Sequence, residues 1–153
     1  MTNKIVISEL ICITMSTKFY ESESAPTKSH FKVANDDFIN QCGHIYNLIR
    51  EQRAKIIHAC SSQDDALIES VVVDAYNNLF DIYTQEMPVL GYMIMNVSDS
   101  NPYWSYHYYS ERYVEAKRRL FNGIRFLDNN KIEEFTWEME GCFLALRVMG
   151  KMA

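Results

Sequence analysis

The chain has 153 residues, 48% hydrophobic and 23% charged, with a net charge of −5 and an isoelectric point near 5.3. One domain of this length can bury a full core, and the composition excludes wholesale disorder. The acidic balance argues against a duplex nucleic-acid binder, which needs a basic surplus to neutralise phosphate.

Glycine and proline are scarce, at 5 and 3. Sandwiches and barrels need frequent turn residues, so the scarcity points to an all-α chain. The four cysteines, Cys12, Cys42, Cys60 and Cys142, form no CxxC. Free thiols in a reducing, cytoplasmic setting are the plain expectation. No run of 18 apolar residues is present, so no membrane span is expected. The apolar run Ile5 to Met15 is interrupted by Ser8 and Glu9 and lacks the form of a secretory leader.

Residues 1–15 alternate Ile5, Ile7, Ile11 and Ile13, which suits a short strand or extended arm, with a short helix as the alternative. Residues 16–34 are polar and contain Pro26, as a linker does. The expected division is therefore an arm and linker over 1–34 and a helical domain over 35–153. The arm either wraps the domain or joins two protomers.

Within the helical domain, Phe38, Cys42, Ile45, Ile49, Gln52, Ile56 and Ala59 step by threes and fours, predicting a helix over about 36–60 capped by Asn35 and Asp36. Ser62 and Asp65 resemble a capping box opening a second helix over about 64–87. Ile68, Val72, Ala75, Leu79 and Ile82 form its stripe, widened by Val71, Val73, Phe80 and Tyr83. Pro88 ends that helix or starts another. Residues 89–97 then read as a short buried helix, with Met87, Met93 and Met95 as core fillers or pocket linings.

After a loop at 98–102, the stretch Asn101 to Leu127 forms the helix around which the chain is organised. Tyr106, Tyr109, Tyr113, Ala116, Leu120, Ile124 and Leu127 make its inward stripe. The last helix is capped by Asn130 with Glu133. It carries Ile132, Phe135, Met139, Cys142, Leu146 and Met149 inward and stops at Gly150. The expected fold is a single bundle of four long helices and one short one.

No chemistry is readable. His44 and His58 lie about 21 Å apart on one helix, too far to share a metal. Cys42 and His44 are neighbours in sequence but point apart on a helix. GxSxG, P-loop, GxGxxG and HExxH are all missing from the sequence. No enzyme activity, cofactor or metal is therefore expected. Glu133, Glu134, Glu138 and Glu140 read as a solvated acidic face.

The aromatic helix carries the candidate site. Tyr and Trp are rigid, amphipathic and enriched at binding hot spots. Lys117, Arg118, Arg119 and Arg125 form the basic cluster, and the first three of them join Tyr103, Trp104, His107, Tyr108 and Arg112, which lie off the inward stripe or beside it, as eight candidates. Together these eight form a candidate interaction surface. Basic residues beside aromatics also suit single-stranded nucleic acid, against which the acidic total stands.

From Asp74 onward, DAYNNLFDIYTQEMPVLGYMI and FLDNNKIEEFTWEM resemble the central helix-and-turn and the final helix of the effector-binding domains of FadR-like transcription regulators. The resemblance implies a ligand-sensing, dimerising helical module. The metal-binding histidines of many such domains have no counterpart here, and no functional residue is carried over. The primary expectation is a non-enzymatic regulator, inhibitor or adaptor that acts by binding a protein. The alternative is the ligand-sensing module, with a homodimer and a small ligand as the partners it adds.

Overall fold

Repeats of three and four residues place apolar side chains on one face of a helix, and four such faces can close around one core. A computed structural model describes residues 33–97 and 102–152, with the backbone alone described at 102–105 and 152. Of the expected arm and linker over 1–34, residues 1–32 lie outside the described residues. In order come α1 (Asn35–Ser61), α2 (Asp65–Asp81), a π-helical turn (Ile82–Glu86), α3 (Met87–Asn96), α4 (Pro102–Asp128) and α5 (Ile132–Met152). The described chain is all-α. Its one β feature is an isolated bridge between Val33 and Val97. Among the described residues no helix is long and apolar enough to cross a membrane.

The expected separate short helix is corrected. α2, the π turn and α3 run on without a break as one rod, so the bundle has four rods. Pro88 explains how. It lacks an N–H, and its ring presses on the carbonyl four residues back. The chain widens by one residue instead of breaking. The Met87 N–H donates to the Ile82 carbonyl, five positions earlier. Pro88 then sits in the first turn of α3, where a missing donor costs little. The Thr84 hydroxyl donates to the Phe80 carbonyl at 2.9 Å. The buried Tyr113 hydroxyl donates to the Met87 carbonyl at 3.1 Å, tying the bend to α4.

Four helix ends also differ from expectation. Asn35 and Asp36 do not cap α1; they are its first residues, after Ala34, and no side chain caps that end. Asp64, not a Ser62–Asp65 box, caps α2, accepting from the N–H groups of Ala66 and Leu67 at 3.1 and 3.2 Å. Ser62 instead closes α1, donating to the Ala59 carbonyl at 2.6 Å. Asn130 does not cap α5. Its φ of 58° puts it in the left-handed region, and it ends α4. There the Lys131 N–H reaches Phe126 O and the Asn130 N–H reaches Leu127 O, a Schellman closure. Gly150 is no stop either. α5 continues to Met152, because packing on α1 outweighs the roughly 1 kcal/mol helix penalty of one glycine.

The rods form a ring: α1 beside α2–α3, that rod beside α4, α4 beside α5, and α5 back against α1. Short connections make successive rods antiparallel. The core is the meeting of the predicted stripes. Phe38, Ile45, Ile49, Leu79, Tyr109, Tyr113, Leu120, Ile124, Phe135 and Met139 are all buried. Phe38 and Tyr109 meet with ring centroids 5.0 Å apart. Met87 and Tyr109 fill core volume.

Cys42 and Cys142 are buried in this core, and burial pushes both thiols up to about 12 from an ordinary 9.0. Such thiols are not nucleophiles at neutral pH. The unfolded thiols ionise near 9.0 while the folded ones stay protonated to about 12. The stability tied to the neutral form is therefore complete below pH 9 and is lost as pH climbs from about 9 towards about 12. Each thiol costs up to about 1.4 kcal/mol per pH unit in that window. Urea midpoints for the wild type and Cys42→Ala between pH 8 and 10.5 should converge as pH rises. Parallel alkaline losses in both would exclude the thiol as a source.

Candidate interaction surface

Of the eight residues singled out in the sequence, Tyr103 and Trp104 have side chains outside the described residues. The other six lie along α4, five of them in two rows. His107, Glu111, Val114 and Arg118 follow helical spacing and are exposed. Tyr108, Arg112, Glu115 and Arg119 follow the same spacing one position on and are half-buried. Tyr108 meets Tyr109 edge-on, with centroids 6.3 Å apart. Arg112 lies over the Tyr108 ring at 5.5 Å. Lys117 is half-buried beside these rows.

Glu115 organises the basic cluster. It accepts from Arg118 at 2.6 Å and Arg119 at 2.9 Å. Those hydrogen bonds hold its carboxyl below the usual carboxylate range. Arg119 also reaches across to Glu138 of α5 at 3.3 Å. The half-buried row of α4 therefore ends on α5, and α5 carries the feature that the sequence reading passed over.

Trp137 is 70% exposed and Leu144 is 64% exposed. They are seven residues apart, so they share one face, about 10.5 Å apart along the axis. This face points away from the stripe of Phe135, Met139, Cys142 and Leu146. Between them lies Gly141, where an added Cβ would stand 2.8 Å from Arg119 Nε. The bare backbone lets the Arg119 side chain cross over α5 to Glu138. The result is a shallow concavity of about 450 Å3 lined by Tyr46, Arg119, Trp137, Gly141, Leu144 and Arg147.

Ion pairs bracket the apolar pair on both sides. On the α1 side Arg53 meets Glu140 at 2.7 Å, and its guanidinium lies 6.0 Å from the Phe143 ring centre. Tyr46 packs against Phe143 with centroids 4.9 Å apart. On the α4 side stands Arg119 with Glu138. Charge is also segregated along α5. Glu133, Glu134, Glu138 and Glu140 lie in its first half, and Arg147 and Lys151 in its second. That order suits the helix dipole.

A second, polar cleft of about 320 Å3 runs between α1 and α2, lined by Gln52, Lys55, Asn78, Asp81 and Glu86 among others. The Asn78 amide donates to the buried Gln52 at 3.1 Å. Gln41 donates to the Glu86 carboxylate at 3.0 Å. Among the described residues no three His, Cys, Asp or Glu side chains converge as metal ligands would.

Trp137 was legible by a test already applied to Trp104. It is a large aromatic that falls off its helix's inward stripe. Reading the neighbouring glutamates as solvated surface hid it. The chain matches no protein-family model, no curated protein and no solved structure at significant similarity. The likeness of residues 74–94 and 126–139 to FadR-like effector domains therefore carries no family assignment.

Proposed function

We propose that this chain is a non-enzymatic helical protein that acts by association with a protein, as a small regulator, inhibitor or adaptor. The observation that carries this reading is the exposed Trp137–Leu144 face. Leaving a tryptophan and a leucine wet and adjacent is costly unless something covers them, and such pairs rimmed by charge mark association surfaces. The Tyr108–Arg112 row of α4 leads to this face through Arg119 and extends it with aromatic and basic groups, the residue types enriched at interfaces.

The test is capture from the native host with a photo-crosslinking residue at position 137, beside a control at the exposed Glu69. A protein crosslinked in stoichiometric yield from 137 alone, and lost in Leu144→Ser, supports the reading. Equal and weak labelling from both positions would overturn it. Ligand sensing is the second reading, and the polar α1–α2 cleft favours it. A stabilising small molecule whose effect is lost in Gln52→Leu would establish that role instead.

A further inference from the structure

We infer that the partner seated on the outer face of α5 is a second copy of this chain, packed antiparallel. This rests on the reading of that face as an association surface, and names its occupant from charge. A partner for α5 has to offer apolar surface at the middle, positive charge opposite the first half and negative charge opposite the second. α5 itself, turned end for end, has that order. Glu134 and Glu140 are exposed in its first half, and Arg147 and Lys151 in its second.

The register follows from helical spacing. Glu140 and Arg147 are seven residues apart and share a row beside Trp137 and Leu144. A twofold axis level with the peptide between Phe143 and Leu144, just past the middle of α5, sets Glu140 opposite the partner's Arg147, and by symmetry Arg147 opposite the partner's Glu140. In the same placement Glu134 stands two residue rises, about 3 Å, from level with the partner's Lys151. The partner's Leu144 then meets the concavity between Trp137 and Leu144, where the Arg119 side chain lying over Gly141 forms part of the lining. Trp137 covers the half-buried Val148 of the partner subunit. Each contact occurs twice, as a closed twofold interface requires. A parallel copy would set like charges together, which disfavours association strongly.

Charge reversal tests this directly. Glu140→Arg alone sets arginine against arginine, and Arg147→Glu alone sets glutamate against glutamate. Each variant by itself should lose self-association by at least ~30-fold. Mixed in equal amounts they should pair with one another, because each then supplies the charge that the other lacks. Sedimentation equilibrium on the wild type, each variant and the mixture gives the masses, with different affinity tags to show a mixed dimer. Circular dichroism melts on each variant guard against misfolding. They also register the loss of the Arg53–Glu140 ion pair in Glu140→Arg, which Arg147→Glu leaves intact.

A wild type that stays monomeric at high concentration, or a mixture that stays monomeric while the wild type dimerises, overturns the inference. If self-association fails but position 137 still crosslinks a foreign protein in stoichiometric yield, the surface reading stands and only its occupant was wrong. If both fail, the face is idle and both readings fall.

Discussion

Phe135→Ala should cost the fold about 3–5 kcal/mol, which is much of the 5–15 kcal/mol that holds a domain of this size together. Phe135 has no exposed surface and sits at the first turns of α5, where that helix meets α4. Truncating it removes a whole ring from the most extensive helix pair in the bundle. Trp137, two residues later, points the other way. Trp137→Ala should change stability by no more than about 0.5 kcal/mol, as surface substitutions do. Urea denaturation of both variants separates the faces of α5. Comparable losses would mean that Trp137 is core, and the association surface would go with it.

Gly123→Val is expected to lose about 2–3 kcal/mol by overpacking. A Cβ at position 123 would overlap Met139 Cε, and would stand 3.3 Å from Phe135 Cδ2 and 3.7 Å from Glu138 Cβ. The glycine is what lets α4 and α5 approach so closely. Gly123→Ala should lose much less, because alanine gains about 1 kcal/mol of helix propensity and the end of Met139 can swing aside. The two sites are in contact and so should couple. In a Met139→Ala background the cost of Gly123→Val should shrink, since the overlapping methyl is gone. Strictly additive losses across that double-mutant cycle would show that crowding against Met139 is not the cause.

Local rules decided the helices. The spacing of Phe38, Cys42, Ile45, Ile49, Gln52, Ile56 and Ala59 predicts the buried face of α1 residue by residue, including polar Gln52. The inward stripe of α4 from Tyr109 to Leu127 is equally legible. Periodicity works there because a helix face is a property of consecutive residues, whatever lies across from it.

The ends and bends were not decided locally. Pro88 reads as an end or a new start, and α3 does open at it; that a π turn joins α3 to α2 as one rod, tied where Tyr113 of α4 donates to Met87, appears only in the structure. Asn130 reads as a cap, and the sharp α4–α5 connection required its left-handed backbone instead. Gly123 and Gly141 look alike in sequence. Only the neighbouring helix shows that one admits Met139 and Phe135 and the other admits Arg119.

The candidate surface divides along the same line. Tyr108, Arg112 and Arg119 were visible as aromatic and basic residues on one helix, but their half-buried row and its path to Glu138 arise from where α5 lies. Trp137 and Leu144 were visible as residues off the stripe. That they share a concavity with Tyr46 and Arg119 depends on three helices meeting. By itself the sequence determined which side chains face inward, because helical periodicity is local. The tertiary structure alone decided which outward side chains stand together, because neighbours on a surface come from segments far apart in the chain.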